Sequence, residues 1–347
     1  MGSGGVVAPA VEAQARHSGS LPTAAARRRY WLILGVLLVL ALGFAFGLVA
    51  WENPMPVGSD GFWRIAQLRG TSVAVMVIVA FCQAVATVSF QTAVGNRIIT
   101  PSILGFEALY AAVQTSSVYF FGVAGLIALQ GPPQFALQVV LMVGLSLALY
   151  GWLLSGKYAN LQVMLLVGIV IGGGLGSVST FMQRMLTPST FDILAARLFG
   201  NVSNADPAYF PLAIPLCVGA VALLWGRWKR LNLLSLGRDV SISLGIDHRR
   251  ELIRTLFLVS VLMAVSTALV GPMTFLGFLV ATLSYQFADT FDHRYIFPVA
   301  VLTAFVVMAG AYFVMRHIFY AQGVVSIIIE LVGGTLFLIV ILRKGRL

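Results

Sequence analysis

Residues 71–94 read TSVAVMVIVAFCQAVATVSFQTAV, twenty-four positions without one charged side chain. An α-helix rises about 1.5 Å per residue, so this stretch is long enough to cross the roughly 30 Å hydrocarbon core of a bilayer. Lipid offers no partner for backbone N–H and C=O groups, and a helix satisfies them within the segment itself. A membrane-barrel strand would instead alternate apolar and polar residues over about ten positions. This run is continuously apolar.

Working outward, comparable runs lie at approximately 31–50, 103–130, 134–154, 159–182, 209–226, 252–271, 273–288, 296–318 and 324–342, giving ten candidate spans. The run at 273–288 is short and follows Gly271-Pro272, which predicts a partial or broken helix. Across 347 residues only 10% are charged and 59% are hydrophobic, whereas a water-soluble domain carries about 25% charged residues. The predicted class is therefore an all-α membrane protein of about ten transmembrane helices. Cys82 and Cys217 sit inside apolar runs and read as small buried hydrophobes.

Orientation follows from Lys and Arg. With the N-terminus inside and ten alternating spans, the loops facing the cytoplasm hold 17 of the 22 basic residues, including Arg227, Lys229, Arg230, Arg238, Arg249, Arg250 and Arg254. The outer loops hold Arg64, Arg69, Arg184, Arg197 and Arg316. That asymmetry is the positive-inside pattern, and it places both termini in the cytoplasm. It also accounts for the net charge of +10 by proximity to anionic headgroups, with no need of nucleic acid. Residues 1–29, rich in Ala, Gly and Ser and ending in Arg27-Arg28-Arg29, predict a disordered basic tail. Residues 30–347 then form one transmembrane domain. No small-residue cleavage site follows the first apolar run, so that run is expected to remain as a span.

Several local patterns carry no chemistry. Gly151 to Tyr158 approaches a phosphate-binding loop, but Tyr158 stands where Ser or Thr would bind Mg²⁺ and no strand precedes it. Gly172-Gly173-Gly174 lacks the strand and acidic partner of a dinucleotide site. His17, His248, His293 and His317 show no metal-ligand spacing. No span pairs a Ser with a His, as an intramembrane serine protease would require.

Three features remain. Gly168, Gly172 and Gly176 recur every four residues along the fifth span, followed by Ser177, Ser179, Thr180, Met182 and Gln183. This stripe permits close helix approach or leaves room beside a pathway. Glu107 and Glu330 fall within or at the edge of apolar runs, where an ionisable group is costly. Residues 227–254 form a long, strongly charged cytoplasmic segment punctuated by Gly237 and Gly245. A simple connection would not need that length, and the segment suits docking onto a soluble partner.

The stretch Asn96-Arg97-Ile98-Ile99-Thr100-Pro101-Ser102-Ile103-Leu104-Gly105 resembles the Asn-Pro-Leu-Ala-x-Pro-x-Leu-Leu-Gly signature of permeases from ABC importers for iron-siderophores, haem and cobalamin, the FecCD-type family. Leu236-Gly237 and Leu244-Gly245, with Ser241 in place of Ala, match its coupling segment. Gly271 to Gly277 resembles its Gly-x-Ile-x-Phe-x-Gly element. Asp292-His293-Arg294, Gly323-Val324-Val325 and Arg343-Lys344-Gly345-Arg346 fit as well. The matches run in order from about residue 31 to the end. Arg97 departs from the signature's Pro, Ser72 stands where a second Arg often follows Arg69, and Ala281-Thr282-Leu283-Ser284-Tyr285 replaces a Pro-His and a nearby Arg.

The resemblance implies a type II ABC importer permease in a bacterial cytoplasmic membrane. It would handle a ferric catecholate or mixed-ligand siderophore and have no ATP site or bound cofactor of its own. Two copies of a partner ATPase would bind ATP and Mg²⁺ and receive Leu236, Gly237, Ser241, Leu244 and Gly245. A second permease, more readily a different one than an identical copy, would complete the pathway. An extracytoplasmic binding protein would meet Arg69, while Arg64, Arg197 and Arg316 are outer-face candidates by topology alone. Gly168, Gly172, Gly176, Ser177, Thr180 and Gln183 fall on the helix that lines the family's pathway. The rival class is a secondary transporter coupled to an ion gradient through Glu107 and Glu330. An integral-membrane enzyme would need a cluster of His, Asp or Glu at one depth, and the sequence offers none.

Overall fold

The computed structural model describes residues 19–128, 131–155, 161–319 and 325–344, and the described chain is helical throughout. Its elements are α1 (Ala24–Ala50), α2 (Asp60–Val94), a π-helical turn (Ser102–Phe106), α3 (Glu107–Ala128), α4 (Pro132–Ser155), α5 (Leu161–Arg184), α6 (Pro188–Leu198) and α7 (Phe210–Gly226). There follow α8 (Trp228–Leu234), α9 (Arg238–Ser243), α10 (His248–Val270), α11 (Leu276–Ala288), α12 (His293–His317) and α13 (Val325–Lys344). Eight of these helices are long and apolar enough to cross a membrane.

Helices α2, α10 and α12 form the centre. Their side chains from Val75 to Ala93, Leu252 to Val270 and Ile296 to Tyr312 are largely buried against one another. The outer helices turn most of their apolar surface outward, as Phe46, Val39, Val170 and Leu331 do. Such faces are stable only against lipid or another membrane subunit.

Four sequence expectations are corrected. The disordered tail does not extend to residue 29: α1 begins at Ala24, capped by the Thr23 hydroxyl accepting from Ala26 N–H. Arg29 already pairs with Asp289 at 3.1 Å; residues 1–18 lie outside the described chain. The second span is longer than 71–94. Ser59 caps a helix of 35 residues, about 52 Å long, so Arg64 and Arg69 ride on its outer extension. The run at 103–130 is not one smooth helix, because Gly105 (φ 101°) and Gly122 (φ 64°) take backbone angles open chiefly to glycine. Finally, α6 was not expected. It starts at Pro188 after Thr187 and brings residues 197–201 against the end of α10, where Asn201 N–H donates to Val270 C=O at 2.8 Å.

Helix α11 has 13 residues, about 20 Å, and is preceded by the irregular segment 271–275, so the eighth run is a broken span. One end of the bundle gathers Ser20, Arg29, the end of α2, α8, α9 and the Asp289–His293 turn. The opposite end gathers Glu52, Arg69 and His317. These are the two sides that the charge asymmetry separates. Gly156, Lys157, Tyr158, Gly323, Val324, Gly345 and Arg346 lie outside the described residues.

Candidate functional site

The charged end of the bundle is built around two short helices. Helix α8 buries Leu231 and Leu234 in the core. Gly237 (φ 92°) then turns the chain into α9, and Gly245 (φ 79°) turns it out again. Both angles are accessible to glycine at little cost. Beside and between those turns Leu236, Val240, Ile242 and Leu244 are about half exposed. Four apolar side chains on the most polar end of the molecule mark a contact surface. Ser241 is not part of it. It is fully buried, and its hydroxyl lies 2.8 Å from Leu233 C=O and 2.6 Å from Gly237 C=O, fastening α9 to α8.

Helix α8 is bolted on both sides. On one side Arg230 and Arg254 approach the Glu251 carboxylate of α10 at 2.8 and 3.2 Å, and Arg227 pairs with it too. Glu251 is buried while the arginines reach water. On the other side the Asn232 carbonyl accepts two bonds from His293, its backbone N–H at 3.0 Å and ring Nδ1 at 2.6 Å. Asn232 Nδ2 donates to Asp292 Oδ1 at 3.1 Å, and Ser20 Oγ donates to Asp292 Oδ2 at 2.7 Å. Ring Nε2 lies 2.7 Å from the Thr92 hydroxyl of α2, whose one hydrogen is also within reach of Val88 C=O at 2.8 Å. One asparagine thus links α8 to the starts of α12 and, through His293, to the end of α2. Burial would raise the Asp292 carboxyl, but the hydrogen bonds from Ser20, Asn232 and Arg294 N–H, with the Arg294 charge, hold it below its ordinary value.

Arg97 and Tyr285, from two places where the sequence departs from the signature pattern, meet at this end. The guanidinium carbon stands 4.5 Å from the ring centroid, a cation–π contact between the residue 95–101 loop and α11.

Along the interior, Gly105 packs directly on α5. A methyl added at Gly105 would lie 3.2 Å from Gly172 Cα, and one at Gly168 would lie 2.9 Å from Leu104 Cδ2. Gly168 and Gly172 therefore serve close packing, while Gly176 faces open space. Ser177 and Thr180 are exposed and bond back to the carbonyls of Gly173 and Gly176. Gln183 donates to Thr115 at 3.1 Å. Glu107 accepts from Thr274 at 2.5 Å, which ties the start of α3 to the 271–275 segment. Glu330 is half-buried on α13.

At the opposite end the arginines differ. Arg69 is half-buried and spends its guanidinium on the carbonyls of Trp51 and Glu52, at 2.6 and 3.1 Å. Arg316 reaches Tyr312 at 3.5 Å. Arg64 is exposed and has no partner among the described residues. Arg197 sits in the last turn of α6 and faces a cavity. The sequence reading missed α6 and the Asn232 junction. Pro188 after Thr187 was the available signal for the first, while nothing local marks Asn232.

The FecCD transport family matches residues 33–343 of the chain. The petrobactin import system permease protein FatC of Bacillus anthracis is 56% identical over 92% of this chain and 90% of its own length. FatD, a petrobactin import system permease protein of the same organism, is 24% identical over 55% of this chain and 56% of its own. Among solved structures, an inward-facing conformation of a putative metal-chelate type ABC transporter superposes with a TM-score of 0.77 at 22% identity, covering 90% of this chain and 99% of that one.

Proposed function

The chain belongs to the FecCD transport family, and from that premise we propose that it carries ferric petrobactin, or a chelate of the same catecholate, mixed-ligand kind, through the cytoplasmic membrane. It is a multi-pass permease subunit of a siderophore ABC importer and has no ATPase domain of its own. The observation that carries the substrate reading is the 56% identity to FatC along nearly the whole chain. The much lower identity to FatD of the same organism favours a heterodimer, this chain taking the FatC-like place beside a FatD-like partner.

In this reading two cytoplasmic ATPases bind ATP and Mg²⁺ and grip the apolar surface of Leu236, Val240, Ile242 and Leu244. Nucleotide-driven closure moves α9, and α8 passes the motion to α10 through Glu251 and to α12 and α2 through Asn232. ATP can shift the inward- and outward-facing states only by stabilising them unequally, so a rigid lever between ATPase and spans is what the chemistry requires. The exposed small and hydroxyl face of α5 around Ser177 and Thr180 suits a pathway wall completed by the second permease. An extracytoplasmic binding protein meets the outer end, where Arg64 offers an unpaired charge for guidance.

The test is uptake of iron-55 petrobactin by cells making the chain with its partner subunits. Gly245→Trp forces a bulky side chain onto a left-handed turn in the coupling segment and is expected to abolish uptake while protein remains in the membrane. Uptake that follows the proton gradient and persists without the ATPase would overturn the reading.

A further inference from the structure

A polar chamber lies away from the coupling end. It encloses about 420 Å³ between α3, α4, α6, the start of α7 and the end of α10, and Tyr110, Gln114, Gln134, Gln138, Arg197 and Tyr209 line its polar part. The chamber touches α10 at residues 268–270, some 20 residues from its cytoplasmic end. This puts it about 30 Å along that helix, at the depth of the outer headgroups.

Its donors are not used up by the protein. Gln114 and Gln138 are 5% and 6% exposed, and Gln114 Nε2 donates to Gln138 Oε1 at 3.0 Å. That leaves Gln138 Nε2 buried with no hydrogen-bond partner; Gln134 Oε1 is unpartnered too, but it is an acceptor and adds no donor. Tyr110 donates its hydroxyl to the Arg197 carbonyl at 3.0 Å, which fixes the end of α6 but leaves the guanidinium free. No carboxylate or other acceptor pairs with that guanidinium among the described residues; Asp206, close in sequence, accepts from Ala208 N–H. A buried amide without a partner is costly, and a partly buried guanidinium with no counter-charge is available to an anion.

We propose that this chamber binds a phosphate group, with Arg197 as the charge partner and the Gln138 amide as the second donor. Guanidinium forks match phosphate oxygens, and basic pockets between membrane helices hold anionic headgroups. Ile193 and Phe199 are exposed at its apolar side, where acyl chains would lie. The phosphate belongs either to a phospholipid of the outer leaflet or to a free anion from the medium. The inference stands apart from the identity of the transported chelate.

The experiment uses the assembled transporter, delipidated in maltoside micelles, with its thermal unfolding midpoint followed on adding phosphatidylglycerol, dioleoylglycerol or inorganic phosphate. Phosphatidylglycerol should raise the midpoint and dioleoylglycerol should not. Arg197→Gln and Gln138→Leu should each weaken the apparent affinity, the first by about tenfold or more, while Arg64→Gln should leave it unchanged. Stabilisation by phosphatidylglycerol alone assigns the site to lipid. An Arg197-dependent shift from inorganic phosphate assigns it to the free anion. Equal effects of phosphatidylglycerol and dioleoylglycerol, or shifts unaltered in both Arg197→Gln and Gln138→Leu, would overturn the proposal; Gln138→Leu keeps the charge and serves if Arg197→Gln fails to assemble.

Discussion

At the cytoplasmic end of this permease, Glu251 collects three arginines and Asn232 joins Asp292 and His293 at the start of α12. At the outer end, Arg69 gives its two terminal nitrogens to carbonyls of its own neighbouring loop, Arg64 has no partner among the described residues, and Arg197 faces an open chamber. The first arrangement cross-links helices distant in sequence. The second leaves charges available to outside partners. A surface that must transmit force has to be stiff with respect to the spans it drives. A surface that only receives a docking protein gains from charges still free to steer encounter.

That contrast can be broken at graded cost. The largest effect is expected from placing carboxylates on the exposed apolar surface. With Leu236→Asp and Leu244→Asp together, co-purification of the ATPase with the permease should be lost, since a desolvated charge opposes docking. Next comes Glu251→Ala, which leaves Arg227, Arg230 and Arg254 crowded without their counter-charge. The arginines are partly solvated, so the cost is about 2 kcal/mol, read as a drop of several degrees in the thermal midpoint of the detergent-solubilised complex. Arg69→Met should cost less, about 1 kcal/mol, because water can replace it at the Trp51 and Glu52 carbonyls; proteolysis near residue 52 should quicken while uptake is largely kept. Arg64→Glu is the smallest. It should slow association of the binding protein by a few-fold at low salt, and added salt should erase the difference.

The architecture was legible because lipid imposes a blunt rule: continuous apolar runs and a 17-to-5 division of basic residues leave little choice of fold or orientation. The segment proposed for coupling stood out too, since its charge and its Gly237 and Gly245 punctuation differ from the spans. Roles within it were not. Ser241, taken for a contact residue, turns inward, and hydropathy cannot tell a six-residue helix's outer side from its inner one. Helix α6 escaped because eleven mixed residues have no membrane-length signal. Asn232, His293 and Thr92 are separated by 61 and 201 positions, so only the folded chain brings them together. Gly168 and Gly172 were left between packing and pathway by spacing alone; the folded chain sets them against Leu104 and Gly105 beside a cavity.

In the proposed coupling, α8 carries ATPase motion into the spans through Asn232. It is tested most directly by measuring ATP hydrolysis and petrobactin uptake in the same proteoliposomes for Asn232→Leu, which removes the link to His293 and Asp292 without touching the exposed α9 surface. Hydrolysis should continue while uptake per ATP falls by about tenfold, the equivalent of about 1.4 kcal/mol of lost coupling. An unchanged ratio of uptake to hydrolysis would contradict it.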